Sequence, residues 1–139
     1  MAAFVRFEVF SENLAKKVHD LHADTLKVYL TNATPNAATN TVKTDLADIT
    51  AANGYPAGGT DTQNTVTRSG AVSSVTGTDI VFTASGGSIG PFRYAVLYND
   101  TPTSPADPLV GYWDYGSALT LLDTETFTVD FGASQLTIG

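Results

Sequence analysis

The chain has 139 residues, of which 42% are hydrophobic and 15% charged, and it contains no cysteine. This length and composition are typical of one globular domain with a sizeable core. The lack of cysteine excludes disulfides, thiolate metal sites and a cysteine nucleophile. The net charge of −7 argues against nucleic acid as a partner, because phosphate binding needs clustered Lys and Arg.

The charge is unevenly distributed along the chain. Residues 1–43 hold five basic and four acidic side chains, whereas residues 44–139 hold two basic and ten acidic ones. We expect a solvated acidic surface, with docking onto an oppositely charged neighbour as the alternative. No window approaches the roughly 18 apolar residues of a membrane-spanning helix, and Arg6 and Glu8 interrupt the N-terminal apolar run, so we expect neither a membrane segment nor a signal peptide.

The N-terminal third predicts a strand, a helix and a second strand. Alternating side chains from Phe4 to Phe10 indicate a strand, and Ser11 is a favourable N-cap for a following helix. Leu14, Val18 and Leu21 recur at helical spacing, which predicts a short amphipathic helix from Glu12 to Leu21. The alternating run from Leu26 to Leu30 predicts the next strand.

A long polar segment follows that strand. Thr31–Thr41 is rich in Asn, Ala and Thr, and a helical turn carrying Leu46 and Ile49 is expected after Thr44. Asn53–Gly59 consists mostly of turn-forming residues. Loops of this length in compact domains usually make contacts or carry function.

The second half of the chain predicts short strands separated by turns. Outside the central hairpin the strands are expected at Thr65–Arg68, Ala71–Val75, Asp79–Thr83, Ala118–Leu122 and Thr126–Phe131, and around Leu136 and Ile138. The spacing of turn signals indicates one all-β domain over residues 1–139, an antiparallel β-sandwich of jelly-roll-like type with one short N-terminal helix.

The centre of this sandwich is predicted to be a hairpin. Phe92–Asn99 alternates, with Phe92, Tyr94, Val96 and Tyr98 expected on one face, and Leu109–Tyr115 forms the second strand. Asn, Asp, Ser and three prolines between them are turn residues. Both faces of the hairpin are largely apolar, so we expect both to be covered. Phe127, Val129 and Phe131 are expected in the core with them.

No set of residues completes a catalytic or metal site. His19 and His22 share a helical spacing but lack a third ligand, so helix-end histidines are the favoured interpretation. Asp100, Asp107 and Asp114 lack a calcium-loop spacing, and the Asp123/Glu125 pair lies in a turn with nothing apolar to raise its pKa. The paired glycines lack the lysine of a phosphate loop. We therefore expect no enzyme activity, no cofactor and no metal.

Five aromatic residues raise the question of a sugar-binding platform. Flat, exposed rings would favour glycan recognition, whereas buried rings would belong to a sandwich core, which we expect here. The residues are Tyr55, Tyr98, Tyr112, Trp113 and Tyr115.

Four blocks of the sequence resemble small virion structural proteins of tailed bacteriophages, and they follow the same order as in that group. The blocks are LHADTLKVYLTNATP (Leu21–Pro35), DLADITAANGYPAGG (Asp45–Gly59), FRYAVLYNDTP (Phe92–Pro102) and LVGYWDYG (Leu109–Gly116). Trp113 and Tyr115 are more aromatic than the last block of the group. These motifs are structural, so they transfer no catalytic residue.

The resemblance implies an assembly protein of the virion, made in the cytoplasm of a bacterial host. Among such proteins, a small β-sandwich suits a capsid decoration protein, commonly a homotrimer, with the major capsid protein and neighbouring copies of itself as partners. A tail or fibre adaptor is the alternative within the virion. A glycan-binding adhesive module is the alternative from another class.

Three segments are the candidate contact elements: Ala2–Phe10, Thr31–Gly59 and Asn99–Pro108. We expect their polar loops to be mobile in the free chain and to become ordered on assembly, because ordering costs roughly 1–2 kcal/mol per residue. The candidate contact residues within these segments are Phe4, Arg6, Tyr55, Pro56, Asn99, Asp100 and Pro105.

Overall fold

A computed structural model describes residues 2–139. The described chain is built mainly from antiparallel strands, with one short helix near its N-terminus. In chain order the elements are β1 (Phe4–Arg6), α1 (Val9–Ala15), β2 (Leu26–Thr31), β3 (Thr60–Asp61), β4 (Thr65–Ser69), β5 (Val72–Thr76), β6 (Ile80–Thr83), β7 (Ile89–Asn99), β8 (Leu109–Leu121), β9 (Thr126–Val129) and β10 (Leu136–Ile138).

The largest sheet has the strand order β1-β8-β7-β2-β3, with β7 at its centre. β2 pairs with β7 without interruption from Leu26 opposite Asn99 to Thr31 opposite Tyr94. Two smaller sheets have the orders β10-β5-β4 and β6-β9. This arrangement confirms the predicted all-β, sandwich-like fold with its central hairpin and single short helix.

Both faces of the central sheet are covered, as the apolar hairpin predicts. On one face Val28, Ala95 and Leu97 belong to a large apolar cluster that includes residues of the two smaller sheets, such as Val75 and Phe82. On the other face, Tyr29, Val96 and Tyr98 pack with Phe7, Leu46 and Leu109. Val96 and Leu97 are neighbours in the chain and both have no exposed surface.

The helix lies earlier than the sequence predicts. β1 ends at Arg6, and the chain is already helical from Val9, so Ser11 lies inside the helix and donates a hydrogen bond to the carbonyl of Glu8. The helix ends at Ala15, and Lys17 follows with a φ of +65°. The predicted strand Phe4–Phe10 and helix Glu12–Leu21 were therefore wrong in their bounds, because Phe10 and Asn13 form the buried face of α1.

The strand β8 is longer than predicted, and its pairing register with β7 shifts near Arg93. Phe92 lies opposite Leu119 but Tyr94 lies opposite Asp114, so Arg93 alone opposes the four residues between them on β8. This bulge places Phe92 in the same cluster as Ala95 and Leu97, on the opposite face from Val96. The predicted common face of Phe92 and Val96 was wrong, and the predicted strand Ala118–Leu122 is mostly the end of β8.

The segment between β2 and β3 packs against the central sheet. Ile49 donates a backbone hydrogen bond to Leu30, and Leu109 donates one to Thr41. A 3₁₀ turn at Lys43–Asp45 precedes Leu46, which is 2% exposed. The Thr31–Gly59 segment is thus packed onto the sheet at these points, and its mobility in the free chain stays a prediction.

Candidate protein-contact surface

The N-terminal strand contributes one half-buried and one exposed candidate. The ring of Phe4 lies 4.9 Å from that of Trp113, measured between centroids. Gly111 makes room for it, since a Cβ there would lie 2.1 Å from Cζ of Phe4. Arg6 is exposed, with its guanidinium 5.7 Å from the ring of Phe10. Phe4 therefore fastens β1 to β8, while Arg6 remains available to a partner.

The candidates Tyr55 and Pro56 have opposite positions. Tyr55 is 3% exposed, and its hydroxyl accepts a hydrogen bond from the backbone of Leu30 at 2.9 Å and donates one to Asp48. Burial and the neighbouring Asp48 raise the pKa of Tyr55 far above its usual value. Pro56 is exposed. In this chain Tyr55 holds the loop onto the sheet, and only Pro56 presents its side chain at the surface.

Asn99 is fully buried and connects three segments. Its Nδ2 donates hydrogen bonds to Asp24 Oδ2 at 2.7 Å and to His19 Nδ1 at 3.0 Å, and its Oδ1 accepts one from the backbone of Thr101. Burial lowers the pKa of His19, against the opposing influence of Asp24. A contact role for the Asn99 side chain in the isolated chain does not agree with this position. It is a structural polar residue at the base of the hairpin loop.

The tip of the hairpin carries the remaining two candidates. Asp100 is exposed and forms an ion pair with Lys27 at 3.0 Å, and Pro105 is exposed. Burial and the nearby Asp100 carboxylate raise the pKa of Asp107. The tip thus carries two carboxylates, and the charge of Asp100 is paired with that of Lys27. Of the seven predicted contact residues, Arg6, Pro56, Asp100 and Pro105 lie at the surface.

The five aromatic residues do not form an exposed platform. Tyr55, Tyr98 and Trp113 are each at most 3% exposed. Tyr112 and Tyr115 are half-buried, and Tyr115 packs edge-on against Phe127 with centroids 4.8 Å apart. These rings belong to the core, as the sequence predicts.

The two histidines are not on a common helix face, since both follow the end of α1. His19 is buried, whereas His22 is exposed and its Nδ1 accepts a hydrogen bond from the backbone nitrogen of Val66 at 3.1 Å. Within residues 2–139 no group of three or more His, Cys, Asp or Glu side chains is arranged to hold a metal ion. No helix in that range is long and apolar enough to cross a membrane.

A surface that the sequence did not single out lies along β4. This strand is at the end of its sheet, and four of its five residues are exposed. A groove of about 400 Å³ runs beside it, between the inner face of the β10-β5-β4 sheet and the chain after α1. Its lining includes the apolar residues Leu14, Leu21, Val66, Val75 and Ile138 and the exposed polar residues Lys17, Asp20 and His22. The alternating run Thr65–Arg68 predicted the strand, but not its place at the edge of a sheet.

Comparisons with models of known protein families, with curated proteins and with solved structures found no match to this chain. The candidate surface is therefore defined by its geometry and by the sequence resemblance alone.

Proposed function

We propose that this chain is a virion structural protein of a tailed phage, and that it acts as a decoration protein on the outside of the capsid shell. The resemblance of four ordered sequence blocks motivates this proposal. Its partners would be the major capsid protein and neighbouring copies of the same chain, with a trimer as the oligomer that the resemblance implies.

The observation that carries the proposal is that the four resembling blocks meet in space. The first contains β2 and the third contains most of β7, and these strands pair over six residue positions. The fourth forms the first part of β8, which pairs with β7. The second block packs onto β2 through the hydrogen bond from Leu30 to Tyr55. The resemblance thus concerns one contiguous body, the central sheet and its cover.

A body of this kind suits a protein that binds a repeated surface. Apolar side chains cover both faces of the central sheet, so no partner is needed to bury these faces. Arg6, Pro56, Asp100 and Pro105 lie outside this core at the surface, where Asp100 is paired with Lys27. Ion pairs and polar contacts at such positions favour specific orientation and fast association more than affinity.

The direct test is attachment to particles that lack the protein. Purified chain is mixed with such particles, and bound copies are counted by imaging and by quantitative gel analysis. Hundreds of copies over the shell support decoration, whereas six or twelve at one vertex support the tail or fibre adaptor. Failure to attach, together with absence from complete particles, would contradict a virion role.

The hairpin tip can be tested in the same assay. Asp100→Lys reverses an exposed charge at the tip, and Asp130→Lys makes the same change at an exposed position outside the three candidate segments. If the tip faces the shell, the first variant attaches more weakly and the control attaches like the parent. Equal attachment of all three proteins would remove the tip from the contact surface.

The glycan-binding alternative requires exposed aromatic rings, but Trp113 is 2% exposed. No observation on the described residues favours it over a virion role.

A further inference from the structure

The amide of Asn99 has one orientation that satisfies its neighbours. Its Oδ1 accepts the backbone N–H of Thr101 at 3.1 Å, and its Nδ2 donates to Asp24 Oδ2 at 2.7 Å. Reversing the amide would place Oδ1 against the Asp24 carboxylate and Nδ2 against the N–H of Thr101. The atom that lies 3.0 Å from Nδ1 of His19 is therefore Nδ2, which only donates.

This donor is compatible with a neutral His19 alone. An imidazolium carries an N–H on both ring nitrogens, so its Nδ1–H would meet the N–H of Asn99 and find no acceptor there. The side chain of His19 is 6% exposed, so the positive charge would also be buried. Because the contacts of Asn99 with Asp24 and Thr101 prevent the amide from reversing, a protonated His19 does not fit the observed arrangement.

The ring of His19 has a route out of this position. Its Nε2 has no hydrogen-bond partner among the described residues, and the ring packs on Phe10 with centroids 5.3 Å apart. His19 also lines the groove of about 400 Å³ that runs beside β4. Rotation of the side chain toward this groove would bring the imidazole to water without moving the central sheet.

We propose that His19 is a pH-dependent switch at the base of the β7–β8 hairpin. With a neutral imidazole, Asn99 holds the chain between α1 and β2 against the end of β7. When the imidazole binds a proton, the ring leaves Asn99 and turns into the groove, and this attachment opens.

Opening at this point affects a small set of backbone hydrogen bonds. Asp100 donates from its N–H to the carbonyl of Thr25 at 2.9 Å, and Thr25 donates from its N–H to Oγ1 of Thr101 at 2.9 Å. These bonds lie next to Asn99, at one end of the candidate contact segment Asn99–Pro108. The switch therefore loosens one end of that segment, and it does not depend on a virion role.

The charged groups near His19 leave burial as the main influence on its protonation. Burial lowers the pKa of His19, and the Asp24 carboxylate opposes this effect without cancelling it. Asp100, which follows Asn99, is paired with Lys27. The titratable residues of its own segment that line the groove are exposed: Lys17, Asp20 and His22. The lining residues on β4, β5 and β10 are uncharged: Val66, Ser73, Val75 and Ile138.

The direction of the pH effect follows from these surroundings. In the open state His19 should have the ordinary histidine pKa of about 6.5, whereas the closed state lowers it. Opening should therefore increase as the pH falls below about 6.5, by up to about tenfold between about pH 7.5 and pH 5.5, since one proton links the two states. Asp107, also on the hairpin tip, has a raised pKa and acts in the opposite direction.

Hydrogen exchange of the Thr25, Asp100 and Thr101 amides tests the switch, after correction for the intrinsic effect of pH on exchange. In the parent their protection should fall several-fold over this pH range. His19→Gln removes the titratable group, so protection should stay nearly constant. His22→Gln changes the exposed histidine at the same groove and should behave like the parent. No fall in the parent, or an equal fall in His19→Gln, would overturn the inference.

Nitrogen NMR of the parent tests the same switch without a substitution. At pH 7.5 His19 should have a bare Nδ1 and a protonated Nε2, and it should titrate at lower pH than His22. The opposite tautomer, or equal titration of the two histidines, would overturn the inference. So would protection of the Asp100 amide as high as that of Leu30 in β2, because opening would then require unfolding of the central sheet.

Discussion

Nδ2 of Asn99 lies 3.0 Å from Nδ1 of His19, and the same amide nitrogen lies 2.7 Å from Oδ2 of Asp24. Since an amide nitrogen only donates, Nδ1 of His19 must accept, and the buried imidazole is neutral with its proton on Nε2. One side chain at the end of β7 thus holds the chain between α1 and β2 in place.

Replacing Asn99 should therefore destabilise the protein. Asn99→Ala leaves the buried Nδ1 of His19 and the backbone N–H of Thr101 without their partners, which should cost roughly 2–3 kcal/mol in the free energy of unfolding. Urea denaturation measures this change. Asn32→Ala, at an exposed asparagine, is the control and should change stability by less than about 0.5 kcal/mol. Equal stability of the two variants would contradict the buried network.

His19 should make stability depend on pH. Because burial lowers the pKa of His19 in the folded chain, the unfolded chain binds its proton at higher pH than the folded chain does. Stability should accordingly be complete above about pH 6.5, the ordinary histidine value, and fall as the pH decreases toward the lowered folded pKa.

The comparison that isolates His19 is between the parent and His19→Gln. Asp107 contributes with the opposite sign, because its raised pKa favours the folded state at low pH. The slope of unfolding free energy between pH 7 and pH 5 should therefore be smaller in His19→Gln than in the parent, whatever the total slope is. An unchanged slope would show that His19 titrates alike in both states.

The face of Val96 can be tested by introducing a charge. Val96 has no exposed surface, so Val96→Asp buries an unpaired carboxylate and should cost several kcal/mol or prevent folding. Val81 is 56% exposed on β6, and Val81→Asp should fold and melt near the parent temperature. Thermal unfolding followed by circular dichroism compares the two. Similar melting of both variants would place Val96 at the surface.

Gly111 should matter through the ring of Phe4. Gly111→Ala puts a methyl group 2.1 Å from Cζ of Phe4, so the ring must leave its place beside Trp113 and β1 should loosen. Hydrogen exchange of the Phe4–Arg6 amides measures this loosening. The methyl group would also lie 2.8 Å from the backbone oxygen of Val5, so the double variant Phe4→Ala/Gly111→Ala should lose more than Phe4→Ala alone but less than the sum of the two single variants. Full additivity would point to another role for Gly111.

Local patterns predicted many of the strands well. Alternation over Thr65–Arg68 reflects one inner and one outer face of β4, whereas the two faces of β2 pack into two different apolar clusters. The turn residues between β7 and β8 mark the hairpin. The same logic failed near the N-terminus. Phe4–Phe10 alternates in sequence, but packing of Phe10 and Asn13 from a helix outweighs that local preference.

The contact residues show the limit of composition as a guide. Asn99 and Tyr55 lie in segments rich in turn residues, which usually run over the surface, yet both side chains are at most 3% exposed. Their polar groups are compatible with burial because partners distant in sequence satisfy them, Asp24 and His19 for Asn99, and Leu30 and Asp48 for Tyr55. Such partners cannot be identified from local sequence.

The sequence by itself determined the all-β class, the central hairpin and the apolar character of both its faces, because these follow from local periodicity and turn chemistry. Only the tertiary structure decided which strands end as sheet edges, that a bulge opposite Arg93 turns Phe92 to the other face, and that the Thr31–Gly59 segment covers the central sheet. The physical reason is that edges, register and cover depend on pairings between residues far apart in the chain, whose free energies no local pattern contains.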